Sequence, residues 1–365
     1  MNTYLPRAME KLVVELSGEY PAILLTGPRQ TGKTRMLRHL MEGTGRGYVS
    51  LDDLTDRALA KSDPAMFLQL HPAPVLIDEV QYAPELFSQI KRAVDEHRAP
   101  GAYWLTGSQP FRLMKLAGES LAGRVAVLHM DALSRRESNK LPFCGQMEVS
   151  PDALRRRVAS SRSASTPGFY GEIWRGQLPG LVSGEFTNRD VFYSSYVQTY
   201  IERDVRDIFP NVDPIAFSNL LAAVACRTGQ ELNVHEIAKD LGVGDTSVRT
   251  GLAVLERSNV IYYLYPYSAN TLKRVVKSPK LYFFDTGLVA YLTRWSSPET
   301  LCAGAMAGAV FENWVVSEVR RTYTQCGVEP PLWYYRDRDG KEIDLVIERD
   351  GRLEGFKVKK IQGVA

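Results

Sequence analysis

Eight residues near the amino terminus have the types and the spacing that bind phosphate groups. They read Gly-Pro-Arg-Gln-Thr-Gly-Lys-Thr, which fits the P-loop pattern completely. The glycines let consecutive backbone N–H groups point inward around an anion, and a helix that follows adds its positive end. The lysine charge reaches the β- and γ-phosphates, and the last hydroxyl is a ligand for Mg²⁺. We therefore predict an ATP site, with Lys33 also catalytic and Thr34 also a metal ligand, formed by Gly27, Pro28, Arg29, Gln30, Thr31, Gly32, Lys33 and Thr34.

Two carboxylates at the end of an apolar run supply the second half of this site. Val75–Ile77 has the pattern of a buried strand, and Asp78 and Glu79 follow it directly. An acid at such a strand end holds Mg²⁺ in P-loop proteins, which assigns Asp78 as a metal ligand. Glu79 is placed to orient or deprotonate the attacking water, the role of a general base. We expect this strand to lie next to the P-loop strand.

Polar residues farther along the chain are candidates for contact with the γ-phosphate. The strand Tyr103–Thr106 is followed by Ser108, and if it lies beside the P-loop strand, Ser108 or Thr106 can reach the phosphate or the water. We assign Ser108 to this role; an ordinary polar turn is the alternative. Arg124 is a candidate for stabilising transition-state charge, in the same subunit or across an interface, with Arg29 as its competitor. A surface salt bridge is the alternative for each arginine.

These side chains need a sheet that brings the ends of its strands together. Buried-strand patterns occur at Ala22–Thr26, Tyr48–Leu51, Val75–Ile77 and Tyr103–Thr106, and helical patterns occur at Lys33–Met41, Ala58–Leu70 and Pro84–His97. Strands that alternate with helices predict an α/β fold with a mostly parallel sheet. The alternation continues to about Met130, so we assign residues 1–135 to a P-loop domain.

The bulk composition limits the class of protein. The 365 residues predict two or three domains, and 45 basic against 42 acidic residues are too close to balance to imply a polyanionic partner. The four cysteines lie far apart, which argues against a zinc site or a disulfide framework. Charges interrupt the amino terminus where a signal peptide would be apolar, and no apolar run approaches the ~20 residues of a membrane helix. We expect a cytoplasmic protein with no membrane partner.

The composition changes after the P-loop domain. Residues 136–190 are charged and then Ser-rich, which predicts a connector and a helical segment. Residues 191–300 predict a helical domain that opens with helical spacing from Val191 to Phe209. Residues 301–365 read as a helix followed by strands, which predicts a partial α/β domain.

These segments resemble a widespread group of bacterial and archaeal AAA-type ATPases that carry a C-terminal domain of unknown function. The resemblance covers nearly the whole chain. Its marks are Leu25–Lys33, Ile77–Gln81, Leu105–Gln109, Leu121–Val125, Tyr196–Asp204 and Phe283–Leu288. It implies ATP binding and hydrolysis. AAA-type proteins often assemble into rings, so a homo-oligomer with Arg124 at an interface is one candidate arrangement.

Residues 231–249 resemble a helix-turn-helix within a winged-helix module at 231–267. Gly242 makes the turn, and Ile261–Tyr267 reads as a strand of the wing. Such a module serves either DNA binding or protein contact, and the sequence leaves both open.

The charge pattern of this module bears on its partner. The DNA interpretation places the second helix in a groove and a group of basic residues on phosphates. That group consists of Lys273, Arg274, Lys277 and Lys280. The second helix itself offers only Arg249 and Arg257 as cations, balanced by Glu256, which favours a protein partner slightly.

The last segment resembles the core of PD-(D/E)XK nucleases, which hold Mg²⁺ between an Asp and a Glu with a Lys beside the water. Asp344 and Lys359 match, and Glu312 matches the acid on the helix. Lys357, however, stands where the second acid is needed, and Glu354 faces the opposite side of its strand. The chain also ends six residues after Lys359, where that fold continues. We predict a degenerate, truncated nuclease-like domain.

Three functions follow from these patterns. The leading hypothesis is an ATPase whose nucleotide state controls a C-terminal module that engages DNA or a protein. The first alternative is a nucleotide-controlled switch with negligible turnover. The second alternative is an ATP-dependent nuclease. It is the weakest of the three hypotheses, because Lys357 stands where the nuclease pattern needs an acid.

Overall fold

The computed structural model describes residues 4–108, 110–200, 213–268, 278–337 and 339–359. The chain divides into two compact units. The amino-terminal unit comprises Leu5–Asp131 and Thr324–Val328, and the carboxy-terminal unit contains Ala132–Tyr323 and the chain from Glu329 onward. Several residues of the predicted motifs lie outside the described residues: Gln109, residues 201–209, Lys273, Arg274 and Lys277.

A parallel sheet forms the centre of the amino-terminal unit, and the predicted α/β class is confirmed. Its described strands are β1 (Ala22–Thr26), β2 (Gly47–Ser50), β3 (Val75–Asp78), β4 (Tyr103–Thr106) and β5 (Val125–His129). They lie in the order β2-β3-β4-β1-β5. Strands β1, β3 and β4 are buried along their whole length, as apolar strands covered on both faces should be. Their carboxyl ends meet at one edge, where the P-loop and both acids follow.

The strand order corrects one expectation. Strand β3, which carries Asp78, pairs with β4 and not with the P-loop strand β1. Strand β4 lies between them and therefore beside the P-loop strand. This is the position in which Thr106 or Ser108 is expected to reach the phosphate or the water. Strand β5, which the sequence patterns did not predict, pairs with the other side of β1.

Helices cover this sheet, with bounds α1 (Glu10–Ser17), α2 (Lys33–Leu40), α3 (Leu54–Ser62), α4 (Pro64–Leu70), α5 (Leu86–Glu96) and α6 (Pro110–Ser120). The single helix predicted over 58–70 is two helices. Asp63 ends α3 and caps α4 by accepting a hydrogen bond from the Met66 N–H at 2.9 Å. Pro64 then takes the first helical position, where its missing N–H costs nothing.

The carboxy-terminal unit is mainly helical. Its helices are α7 (Arg135–Ser138), α8 (Pro151–Ala159), α9 (Thr166–Arg175), α10 (Pro179–Val182), α11 (Arg189–Tyr200), α12 (Pro214–Ala225), α13 (Val234–Leu241), α14 (Asp245–Arg257), α15 (Thr286–Leu292), α16 (Pro298–Ala303) and α17 (Ala307–Thr324). Gly242, with φ 66°, ends α13 at the predicted turn before α14. No helix among the described residues has both the length and the apolar character to cross a membrane.

The described residues of this unit also form two small antiparallel sheets. Strand β6 (Ile261–Leu264) pairs with β7 (Lys280–Phe283). Strands β8 (Leu332–Arg336), β9 (Glu342–Arg349) and β10 (Arg352–Phe356) form the second sheet in the order β10-β9-β8.

Strand β7 and helix α17, which lie on either side of the predicted division near residue 300, are joined through a buried amide. The Asn313 side chain accepts from the Phe283 N–H at 2.8 Å and donates to the Phe283 carbonyl at 2.8 Å. It also accepts from the Thr228 hydroxyl at 2.5 Å. Residues on both sides of the predicted boundary therefore share one core.

One mark of the family resemblance has a structural explanation. Asp285 accepts hydrogen bonds from the Gln177 N–H at 2.7 Å and from the Leu288 N–H at 3.1 Å, and so caps α15. A Cβ at Gly287 would lie 2.2 Å from the Tyr193 hydroxyl oxygen, so the residue must be small. The segment Phe283–Leu288 thus joins helices of the carboxy-terminal core.

Candidate functional site

The P-loop joins β1 to α2, and its backbone requires glycine at two positions. Gly27 has φ 141°, and a Cβ there would lie 2.2 Å from the Met130 carbonyl oxygen. Gly32 has φ 88° and precedes the first residue of α2. Both conformations are open to glycine and unfavourable for other residues. The loop therefore passes close to the end of β5 and presents the amino-terminal end of α2 to the site.

Arg7 holds this loop in place through hydrogen bonds. The sequence patterns did not predict this role for Arg7. Its guanidinium is buried and donates to the Thr31 carbonyl at 2.6 Å and to the Asp131 carbonyl at 2.8 Å. The P-loop is thereby tied to the chain that follows β5. Arg7 precedes the first helix and belongs to no spacing pattern, so only its charge in an otherwise uncharged segment could have drawn notice.

The structure brings Thr34 and Asp78 together, next to Lys33 of the P-loop. Lys33 is 7% exposed, and its ammonium donates to the Gly27 carbonyl at 3.0 Å and to the Pro28 carbonyl at 2.7 Å. The Thr34 hydroxyl donates to Asp78 Oδ1 at 2.9 Å. A hydroxyl and a carboxylate that meet in this way are hard oxygen ligands of the kind Mg²⁺ prefers. The donor set therefore fits Mg²⁺ held by Thr34 and Asp78.

The end of β4 supplies one hydroxyl to each acid. Thr106 donates to Asp78 Oδ1, and Ser108 donates to Glu79 Oε2 at 3.3 Å. Ser108 therefore contacts the candidate base, and its contact with a phosphate stays a prediction. The Tyr48 hydroxyl, which the sequence did not single out, lies 3.4 Å from Asp78 Oδ2. Burial and the nearby Asp78 charge both raise the pKa of Tyr48, so it remains a neutral donor.

Arg124 lies at the opposite edge of the sheet from the P-loop. The Arg124 carbonyl accepts from the Ala22 N–H, at the start of β1, whereas the P-loop follows the end of that strand. The Arg124 guanidinium forms an ion pair with Asp95, with 2.5 Å between Nε and Oδ1. Arg124 therefore cannot act on phosphates bound by its own chain, which corrects the same-subunit part of the prediction. A role across an interface stays a prediction, and Arg29 lies half-buried in the loop itself.

A family model described as an AAA domain matches residues 19–139. Residues 19–139 are an AAA domain. The match contains the whole parallel sheet, the P-loop and both acids. After the AAA domain, two further models match, both described as domains of unknown function: DUF8612 at residues 167–299 and DUF4143 at residues 307–364.

Two relatives of the chain match it over most of its length. An uncharacterised protein of Mycobacterium tuberculosis and one of Mycobacterium bovis are each 29% identical over 343 residues, covering 93% of this chain and 70% of theirs. Among solved structures, a Walker-type ATPase of Pyrococcus abyssi has a TM-score of 0.52 at 16% identity, covering 79% of this chain and 96% of that one. This last likeness is one of fold.

Three carboxylates meet in the carboxy-terminal unit. Glu312 of α17 and Glu342 and Asp344 of β9 each place one oxygen within 4.8 Å of the others. Lys280 donates to Glu312 at 2.9 Å and also to Glu342, and Lys357 donates to Asp344 at 2.8 Å. Two ammonium groups therefore supply the positive charge that this acidic cluster needs.

The cluster contains three of the residues singled out as nuclease-like. Glu312, Asp344 and Lys357 are brought together, whereas Lys359 is exposed to solvent. Glu342 has no predicted role, and Lys280 was among the basic residues predicted to contact DNA phosphates. Lys280 is instead 3% exposed among acids, which corrects that assignment.

Lys280→Met should destabilise the protein by about 3–5 kcal/mol, because it leaves the half-buried Glu312 and Glu342 carboxylates facing each other without the buried cation that pairs with both. Burial alone lowers the pKa of Lys280, but Glu312 and Glu342 outweigh it and leave the pKa above its ordinary value of 10.5. A raised pKa means that this stabilisation is complete at neutral pH and is lost only in alkali. Urea unfolding at pH 7 measures the loss, with the exposed Lys239→Met as control. Equal stability of the two variants would contradict the charge-compensating role of Lys280.

Proposed function

We propose that the AAA domain binds Mg²⁺–ATP and hydrolyses it, and that the nucleotide state controls how the carboxy-terminal unit engages a partner. One observation carries the first part: the Thr34 hydroxyl lies 2.9 Å from the Asp78 carboxylate beside a buried Lys33, at the mouth of a P-loop. Glu79 follows Asp78 directly and is half-buried at the same sheet edge.

The residues of this site divide the work of hydrolysis. Lys33 and the P-loop N–H groups bind and orient the phosphates. Water attacks the γ-phosphorus while Glu79 accepts a proton from that water. The bond between the γ-phosphorus and the β–γ bridging oxygen breaks, so that ADP and inorganic phosphate are released. Mg²⁺, held by Thr34 and Asp78, neutralises phosphate charge when bound. Arg124 of a neighbouring copy, or Arg29 of the loop, stabilises the charge that develops in the transition state.

Phosphate release from ATP tests this proposal directly. The wild-type chain should release phosphate in the presence of Mg²⁺ and stop when EDTA removes the metal. A chain that binds ATP without releasing phosphate would instead be a nucleotide-controlled switch. Measuring the same rate with and without double-stranded DNA then reports whether DNA is the coupled partner.

The surface of α14 favours a protein as that partner. Arg249 and Arg257 are exposed on this helix, but so are Asp245 and Glu256. DNA binding draws most of its affinity from cations that neutralise phosphates, and a balanced helix offers few. We therefore expect the ATPase rate to be unchanged by DNA.

The acidic cluster argues against a nuclease. Cleavage requires a divalent ion between the acids, and the ammonium groups of Lys280 and Lys357 lie among those carboxylates. Supercoiled plasmid incubated with the protein, ATP and Mg²⁺ or Mn²⁺ should therefore remain supercoiled. Nicked or linear product that disappears with Asp344→Asn would reverse this conclusion.

A cytoplasmic location belongs to the same proposal. No disulfide joins the four cysteines, all of which lie among the described residues, as in reducing compartments, and ATP is abundant there. Cell fractionation of the tagged protein tests it.

A further inference from the structure

A buried amide contacts the candidate base from within its own turn. Gln81 follows Glu79 by two residues, and its side chain is fully buried. Its Nε2 donates to Glu79 Oε2 and lies 3.4 Å from the Ser108 hydroxyl oxygen. Neither the P-loop pattern nor the spacing of the acids assigns a role to this residue.

The orientation of this amide is fixed by its surroundings. The reverse orientation would place the amide oxygen against the Glu79 carboxylate, where both groups are acceptors. In the observed orientation Oε1 points at Gly107, where a Cβ would lie only 2.1 Å away. No described residue donates a hydrogen bond to Oε1. Because an unpartnered buried acceptor costs stability, the favourable contact of Gln81 is the one with Glu79.

Two elements thus converge on one oxygen of the base. Ser108, after β4, donates to Glu79 Oε2 at 3.3 Å, and Gln81 donates to the same atom from the turn after β3. Glu79 itself has φ 54°, a left-handed conformation that is uncommon for a residue with a side chain. Such conformations persist where the surroundings hold them in place, and they cluster at functional sites.

We propose that Gln81 is a positioning residue that, together with Ser108, holds Oε2 of Glu79 so that Oε1 is free to accept the proton of the attacking water. This inference rests on the proposed hydrolysis. It separates catalysis from binding, because the hydrogen bonds of Gln81 go to Glu79 and Ser108 and, among the described residues, none goes to the P-loop. Removing its donor should therefore lower kcat and leave ATP affinity unchanged.

Gln81→Met tests this, because methionine keeps the length of the side chain and removes the donor. We expect kcat to fall by about 10- to 100-fold, the scale of a misplaced catalytic group. We expect the Kd for ATP, measured by calorimetry, to be unchanged. The melting temperature should not fall, since the unpartnered oxygen is removed as well. Gln81→Leu is the second variant if Gln81→Met fails to fold. Gln69→Met, on the exposed side of α4, makes the same chemical change away from the site and should leave kcat unchanged.

The outcomes separate this inference from the function on which it rests. A wild-type chain that hydrolyses ATP, together with Gln81→Met at the parental kcat, overturns the positioning role alone. A weaker Kd for ATP in Gln81→Met also overturns it, because the residue would then shape the nucleotide site as a whole. A wild-type chain that binds ATP without hydrolysing it overturns the proposed function, and the positioning role falls with it.

Discussion

Lys33→Ala should abolish ATP binding. The Lys33 ammonium is buried and donates to two carbonyls of its own loop, so it is held at the point where the phosphates enter. Two charge-assisted hydrogen bonds to phosphate, at about 1.5–3 kcal/mol each, correspond to a rise in Kd of at least about 100-fold. Isothermal titration of the purified variant with ATP measures this change.

Two controls show that the loss is one of charge at this position. Lys33→Met keeps the aliphatic length and should lose binding as Lys33→Ala does, which excludes an effect of the cavity left by alanine. Lys61→Ala removes an exposed lysine of α3 in the same unit and should bind ATP normally. Parental affinity in Lys33→Ala would remove the basis for a nucleotide site at this loop.

The sequence predicted those parts of the site that depend on local signals. The loop pattern, the apolar strands before it and before Asp78, and the hydroxyl residues after β4 are each encoded within a few consecutive residues. Because strand ends in a parallel sheet meet at one edge, those local signals were enough to place Thr34 against Asp78 and Ser108 against Glu79.

Contacts between distant segments were not predictable in this way. The order of strands depends on pairing, so β4 between β1 and β3 could not be read from any one segment. Arg7 donates a hydrogen bond to the Thr31 carbonyl, a contact that corresponds to no periodic pattern in the sequence. Lys280 draws its partners from α17 and β9, and in the sequence it is only a charge before an apolar strand.

The position of Arg124 shows that the end of the strand at which a residue lies decides whether it can reach the site. Strand β5 was not predicted from the sequence, and Arg124 lies before this strand and not after it. In a parallel sheet these two ends are separated by the full length of a strand, roughly 3.3 Å per residue. A mark of family resemblance therefore becomes a same-chain catalytic group only if it lies at the carboxyl edge. Arg124 meets Asp95 instead, and any role in catalysis requires a second copy of the chain.

The Glu79→Gln variant should still bind ATP but should not hydrolyse it. Glutamine matches glutamate in shape, and its amide oxygen can still accept from Ser108 and Gln81, so the turn and the P-loop are undisturbed. The neutral amide cannot take a proton from water, and loss of a general base lowers kcat by about 100- to 10 000-fold. Phosphate release measures kcat, and calorimetry should give an unchanged Kd for ATP. Glu85→Gln, an exposed residue just before α5, is the matched control and should hydrolyse ATP normally. Turnover at the parental rate in Glu79→Gln would show that another group activates the water. Gln81 could then have no catalytic role through Glu79.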